Sequence, residues 1–165
     1  MNRKVLAAIA LLTVFACIIF TAYNPTIAQS YTGNFTDGEI FTPQDGRFDF
    51  RDFSLNATGA KSFTAKIITN GHTQFVDDTG NVTVNYLELD RMIRIKRDRV
   101  NSFLNEELQR PSWSVDGVVV HQIDFREGPL YSAYYKDSSE DAIIYLSTPD
   151  EAQTANMMNS LRFVR

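Results

Sequence analysis

Cysteine is nearly absent from this 165-residue chain: Cys17 is the only one, and it lies in an apolar N-terminal segment. The remaining sequence can therefore form no disulfide bond, and its roughly 135 residues are enough to bury a core without one. Histidine is almost as scarce, because His72 and His121 are the only two and lie far apart in sequence. No His-Glu-x-x-His pattern occurs, so we predict no metal site.

Signatures of catalysis are missing as well. The sequence has no Gly-x-Ser-x-Gly elbow, no Ser-x-x-Lys pair and no glycine-rich phosphate loop. With 20 Asp+Glu a pair of carboxylates for hydrolysis can always be imagined, but none has diagnostic flanking residues. We therefore predict no catalytic or cofactor-binding residue.

An apolar run without charged residues covers residues 5–23, directly after Arg3 and Lys4. A helix of this length would extend roughly 28 Å, close to the thickness of the hydrocarbon core of a bilayer. We predict a transmembrane anchor that keeps its two positive charges in the cytoplasm and sends the following chain across the membrane. The alternative is a signal peptide cleaved after Ala28, which would give a secreted protein.

The exported part is expected to be acidic. Of 16 Lys+Arg, Arg3 and Lys4 precede the anchor, so 14 remain against 20 Asp+Glu, which argues against nucleic-acid binding. Residues 24–38, rich in Thr, Asn, Ser and Gly, predict a flexible tether, and residues 39–165 predict one domain. Asn34, Asn56 and Asn81 begin Asn-x-Thr sequons, which are glycosylation acceptors in exported chains.

Alternating apolar and polar residues predict strands in the first half of the domain. These strands are expected at residues 47–50, with an extension to Leu55 left open, and at residues 61–69, 72–78 and 82–86. Asn70 and Gly71 separate the second strand from the third, and Asn-Gly is typical of a tight β-hairpin turn. The last three strands should therefore form an antiparallel meander.

An amphipathic helix is predicted from Asp90, as its N-cap, to about Gln109, although the alternation of residues 93–96 leaves its first turns open. Its apolar stripe would comprise Leu89, Ile93, Val100, Leu104 and Leu108. Lys96 falls within this stripe, so its stem would have to reach outward to solvent.

Three more strands and a second helix are predicted after Pro111. The strands are expected at residues 114–125, 130–136 and 142–147, and the last is apolar enough to be buried on both faces. Thr148 as N-cap and Glu151 as its partner would form a capping box at the start of a helix to about Ser160. Its inward residues would be Ala152, Ala155 and Met158, and a short strand would follow at residues 161–163.

This order predicts an α+β domain, a mainly antiparallel sheet with two helices packed on it, preceded by an N-terminal transmembrane helix. The order, and in particular the closing helix and strand at residues 148–163, resembles the Mog1/PsbP-like group and its small membrane-anchored exported members in archaea. The resemblance covers residues 48–163 and carries no catalytic motif. It implies a binding or assembly module beside a larger complex.

Two surfaces are candidates for binding. Five cations lie within nine positions, at Arg91, Arg94, Lys96, Arg97 and Arg99. They would meet anionic lipid, a glycan or an acidic partner, or form a solvated face partly neutralised by acids that include Glu106 and Glu107.

The second surface is an aromatic platform for sugar or peptide, formed by Trp113, Tyr131, Tyr134 and Tyr135. Tyr131 and Tyr135 share a strand face, whereas Tyr134 points away. The predicted binding face comprises Arg91, Arg94, Arg97, Tyr131 and Tyr135.

These patterns together favour a membrane-tethered extracytoplasmic module that binds or assembles. Its partners would be the membrane, through the N-terminal helix, and a cell-surface protein or glycan, with no nucleic acid and no cofactor. An exported hydrolase that uses unrecognised carboxylates is the alternative.

Overall fold

The computed structural model describes residues 34–125, 128–137 and 141–164. The predicted anchor, its signal-peptide alternative and residues 24–33 of the tether lie outside these ranges, so they stay predictions. Within the described ranges, no helix is both long and apolar enough to cross a membrane.

The described residues form eleven strands, two α-helices and one short 3₁₀ turn. The strands are β1 (Ile40–Phe41), β2 (Arg47–Asp49), β3 (Phe53–Asn56), β4 (Phe63–Thr69), β5 (His72–Asp77), β6 (Thr83–Glu88), β7 (Ser112–Val115), β8 (Val118–Phe125), β9 (Gly128–Asp137), β10 (Ala142–Thr148) and β11 (Arg162–Phe163). The helices are α1 (Arg94–Glu107) and α2 (Glu151–Ser160), and the 3₁₀ turn is Leu89–Arg91. This confirms the α+β class of the domain.

Eight strands form one antiparallel sheet in the order β1-β4-β5-β6-β10-β9-β8-β7, and β11-β3-β2 form a second, smaller sheet. Successive side chains of a strand point to opposite faces, so Ile144 and Tyr145 of β10 face opposite ways. Tyr145 packs with α1, and Ile144 packs with α2 and the small sheet. We call these the α1 face and the α2 face. Strand β10 is buried along its whole length, which confirms that it is a central strand.

The core of the α2 face is aromatic. Its rings lie with centroids from 4.5 to 6.2 Å apart, mostly edge to face or tilted. They belong to Phe35, Phe41, Phe48, Phe50, Phe53, Phe63, Phe75 and Tyr86. Phe35 falls in the predicted tether, yet it is buried 5.1 Å from Phe75, and the Gly38 amide donates to the Ala65 carbonyl at 2.8 Å. Residues 34–38 therefore pack as part of the domain.

Turns interrupt two of the predicted strands. The expected strand at residues 47–50 is confirmed as β2, but it does not extend to Leu55, because Arg51 has φ 71° and the Phe50 amide donates back to the Phe53 carbonyl in a hairpin with β3. The expected strand at residues 114–125 is also two strands. Asp116 and Gly117 have φ 49° and 82°, the positive pair that a type I′ hairpin turn requires. The extension to Leu55 and the single strand at residues 114–125 were therefore wrong.

The hairpin predicted at Asn70 and Gly71 is confirmed. It joins β4 to β5, with Thr69 opposite His72 and an irregularity in register between Ile67 and Thr69. Strand β6 pairs with β5, which completes the predicted meander.

Helix α1 differs from its prediction at the start and in its buried side. Asp90 lies in the 3₁₀ turn, and the N-cap is Ile93, whose side chain makes no capping hydrogen bond. Ile93 and Leu108 are 57% and 55% exposed, and the buried residues are Val100, Phe103, Leu104 and Glu107. The predicted stripe is thus correct for Leu89, Val100 and Leu104, which are buried in one cluster, and wrong for Ile93 and Leu108.

Helix α2 begins two residues later than its prediction, in which Thr148 was the N-cap. Asp150 is the N-cap, and its Oδ1 accepts from the Gln153 amide at 2.8 Å. Thr148 Oγ1 instead accepts from the Asp150 amide at 3.0 Å, and this hydrogen bond stabilises the turn before the helix. The buried residues are Thr154, Ala155 and Met157, so Ala155 was placed correctly and the exposed Ala152 was not.

Candidate binding groove

One end of the large sheet brings distant parts of the chain together. Ala142, at the start of β10, pairs with Glu88 at the end of β6 and with Asp137 at the end of β9. Residues at the ends of these three strands are therefore neighbours. The C-terminal residues after α2 run along the same end, because Phe163 and Val164 line a recess together with Glu88, and the Val164 amide donates to the Asp52 carbonyl at 2.9 Å.

A groove of about 360 Å³ opens at this end, on the α2 face. Its lining residues are Tyr135, Asp137, Met158, Asn159, Leu161, Arg162 and Phe163. Tyr135 is 48% exposed, and its ring lies 6.0 Å from that of Phe163 at an angle of 39°. We call this the end groove.

Polar groups form the rim of the end groove. Arg162 Nη1 donates to the carbonyl oxygens of Asn159 at 3.1 Å and Leu161 at 2.6 Å, which fixes its guanidinium against the end of α2. Asn159 Nδ2 donates to the Asp116 carbonyl at 3.0 Å and ties α2 to the β7–β8 turn. Two aromatic rings beside a guanidinium, a carboxylate and an amide can hold a ligand that has one apolar face and a polar edge.

A smaller acidic recess of about 250 Å³ adjoins the end groove, since Phe163 lines both. Asp52, Glu88, Asp90 and Arg91 line it, and Glu88 pairs with Arg91 at 3.0 Å. Burial raises the pKa of Glu88, the Arg91 guanidinium opposes this, and the Asp52 and Asp90 carboxylates add to it. The recess therefore favours cationic groups.

Asn34 closes the recess on one side. Its Nδ2 donates to Asp52 Oδ1 at 2.7 Å, whereas the buried Asp52 Oδ2 has no hydrogen-bond partner in the part of the chain that the structure describes. The first described residue thus lies at the same end of the domain as the end groove.

A second polar cluster is buried on the α1 face, around Glu107. This residue is fully buried, and its Oε2 accepts from Ser132 Oγ at 3.0 Å and from the Tyr145 hydroxyl at 3.3 Å. Arg110 pairs with its other carboxylate oxygen. Burial, followed by the Glu107 charge, raises the pKa of Tyr145, so this hydroxyl stays protonated and donates.

The role of Glu107 was missed in the sequence, where it was assigned to a solvated face. Its spacing from Val100, Phe103 and Leu104 places it on the buried side of α1, and that periodicity was the available signal. Glu107 therefore anchors the C-terminal end of α1 to β9 and β10.

Two histidines and two amides are also buried on this side of the sheet. Asn85 Oδ1 lies 3.2 Å from Gln74 Nε2 and 3.0 Å from His72 Nε2, so the imidazole donates through Nε2–H. Burial lowers the pKa of His72 to about 4. His121 is buried too, stacked 6.2 Å from Tyr134. Among the described residues, no three His, Cys, Asp or Glu side chains are grouped to hold a metal ion.

The predicted binding face is divided by the sheet. Arg94 and Arg97 belong to helix α1, whereas Tyr131 and Tyr135 lie on the α2 face, and Arg91 lines the acidic recess at the end of the sheet. The aromatic platform is divided as well: Trp113 packs on Tyr131 at 6.0 Å, Tyr135 on Phe163, and Tyr134 on His121. Of the predicted binding residues, only Tyr135 lines the end groove.

The basic residues of α1 are only partly neutralised. Arg94 lies 3.9 Å from Asp98, and Arg97 Nη2 lies 3.5 Å from the Met92 carbonyl. Glu107 pairs with Arg110 beneath the helix, so it does not neutralise this surface as expected.

The three sequons lie on the domain surface or close to it. Asn34 and Asn56 are exposed, and Asn81 is partly exposed in the β5–β6 turn. Asn56 Oδ1 accepts from Arg47 at 3.4 Å. Whether these asparagines carry glycans stays a prediction.

No protein-family model, curated protein or solved structure matches this chain. The resemblance to the Mog1/PsbP-like group therefore stays a prediction too, and the proposal below rests on the geometry of the end groove.

Proposed function

We propose that this chain is a membrane-tethered extracytoplasmic binding module that takes a carbohydrate in the end groove. The observation that carries the proposal is the exposed Tyr135 ring beside Phe163, with Asp137 and Arg162 on the rim. A sugar ring has an apolar C–H face that packs on aromatic rings and a hydroxyl edge that hydrogen-bonds to charged and amide groups. A cavity of about 360 Å³ is large enough for one or two sugar rings.

The compartment in this proposal comes from the sequence. Residues 5–23 would anchor the chain, and the short segment up to Asn34 would hold the groove outside the membrane, where glycans are abundant.

A panel of immobilised glycans tests the proposal, with the full chain held in nanodiscs. Wild-type protein should bind a subset of the panel, and Tyr135→Ala should weaken that binding about tenfold, which corresponds to about 1.4 kcal/mol. Trp113→Ala is the matched control, because Trp113 is a partly exposed aromatic residue that does not line the groove. Equal losses in both variants, or no binding by wild type, would contradict a carbohydrate site at Tyr135.

The acidic recess supports a second candidate, the exported hydrolase. Glu88 has a raised pKa and shares the recess with Asp52 and Asp90, and glycosidases pair a protonated carboxylic acid with an ionised carboxylate. Turnover of a panel glycan by wild type that Glu88→Gln abolishes would replace the binding proposal with this one.

A further inference from the structure

An unusual surface lies at the start of α1, where Ile93, Arg94 and Ile95 project into solvent. The two isoleucines are 57% and 58% exposed, and the Arg94 side chain is 93% exposed. Arg97 lies one turn further along the helix. We call these four residues the α1 patch. Two exposed isoleucines within three positions of the chain leave apolar surface in water, and covering that surface would be favourable.

The α1 patch lies at the end of the domain where the described chain begins. Asn70 Nδ2 donates to the Arg91 carbonyl at 3.0 Å, which ties the turn before α1 to the β4–β5 hairpin. Arg91 and Asn34 line the same acidic recess. Ten residues, 24–33, separate Asn34 from the predicted anchor, and a chain of that length spans at most about 35 Å. The patch would therefore be within reach of the bilayer.

We propose that the α1 patch docks on an anionic lipid bilayer, with Ile93 and Ile95 in the interface and Arg94 and Arg97 on lipid phosphates. The inference rests on the proposed membrane tether. Charge complementarity supports it, because the basic residues are concentrated here in a domain that is otherwise acidic. A purely polar acidic surface would satisfy the arginines and leave the isoleucines uncovered, whereas the interface of an anionic bilayer accommodates both.

The test places a fluorophore at the patch of the full chain in nanodiscs. Cys17 is the only cysteine, so Cys17→Ala gives a background in which Ile95→Cys can be labelled alone with an environment-sensitive dye. The same label at Ile40→Cys is the matched control, because Ile40 is also an exposed isoleucine, at 65%, and pairs with Thr64 at the opposite end of β4. Nanodiscs are made from phosphatidylcholine alone or with about one-third phosphatidylglycerol.

With anionic lipid, the label at residue 95 should shift to shorter wavelength and be quenched at least twofold more by quencher-bearing lipids, while the label at residue 40 should not change. Adding Arg94→Glu should remove this lipid dependence. Lys66→Glu, a charge reversal at another exposed position, should leave it intact.

Equal emission from residue 95 in both kinds of nanodisc would overturn the docking proposal and leave an acidic protein as the partner of these arginines. Failure of the chain to enter either nanodisc would instead refute the membrane tether of the proposed function, and the docking with it.

Discussion

Gly71, in the β4–β5 turn, contacts the segment between β6 and α1. Its φ is +76°, and its carbonyl accepts from the Glu88 amide at 2.8 Å. A Cβ at this position would lie 2.7 Å from the Glu88 carbonyl oxygen and 3.0 Å from Met92 Cγ. The turn therefore needs glycine for its backbone conformation and also for the close approach of the segment that leads into α1.

We predict that Gly71→Ala lowers the free energy of unfolding by about 3 kcal/mol, through strain at positive φ and the clash with backbone. Gly117→Ala is the control, since Gly117 has φ +82° and open space around it, and should cost about 1 kcal/mol. Urea unfolding followed by the fluorescence of Trp113, the single tryptophan, measures both. Similar losses in the two variants would mean that the close approach is not rigid.

His72 should make stability depend on pH. Burial lowers its pKa to about 4, whereas in the unfolded chain the pKa is about 6.5, so below that pH the unfolded state gains a proton that the folded state does not take up. Because of this one group, the free energy of unfolding is highest above pH 6.5 and falls by about 3 kcal/mol in all as the pH is lowered to 4.

The His72→Gln variant keeps a side-chain amide that can donate to Asn85 and removes the titration. Urea unfolding between pH 7 and pH 4 should therefore show a shallower loss of stability in the variant than in wild type. Parallel pH profiles would show that His72 is not the group responsible.

At the scale of elements, α1 depends on a polar contact as much as on apolar packing. Its apolar contacts come from Val100, Phe103 and Leu104, and Glu107 adds hydrogen bonds to two strands. Removal of this carboxylate would leave the Ser132 and Tyr145 hydroxyls buried without their acceptor. A buried hydroxyl without a partner destabilises the fold by more than a hydrogen bond normally stabilises it.

We predict that Glu107→Ala destabilises the domain by about 3 kcal/mol and speeds hydrogen exchange of the α1 amides. Glu106→Ala is the matched control, because Glu106 is the exposed neighbour, and should change stability by less than about 0.5 kcal/mol. Unchanged exchange in α1 after Glu107→Ala would show that apolar contacts alone hold the helix.

Elements with a strong local signal could be predicted from the sequence. Asn70-Gly71 fixed a hairpin, and the apolar run of β10 indicated a central strand. The start of α1 could not be predicted, because Ile93 and Ile95 are apolar yet exposed, and only tertiary contacts decide which side of the helix is buried. Asp116-Gly117 is a local turn signal too, although the valines on both sides favour one continuous strand.

At the scale of the whole molecule, the end groove could not be found from the sequence. Tyr135 comes from β9 and Phe163 from β11, and the fold alone brings these rings within 6.0 Å. The same separation by the sheet explains why Arg94 and Tyr135, both predicted as binding residues, lie on opposite sides of the domain. The sequence identified Tyr135 as a candidate binding residue because it is aromatic. Its neighbours in the groove, such as Phe163, could be found only from the topology of the fold.

The location of the domain is the central claim, because the ligand class and the docking surface both depend on it. Lys61 is exposed, so Cys17→Ala with Lys61→Cys provides one accessible thiol on the folded domain. A membrane-impermeant maleimide added to intact cells of the native host should label this thiol before lysis, on a chain that sediments with membranes. Labelling only after the cells are broken, on a chain in the soluble fraction, would contradict the account.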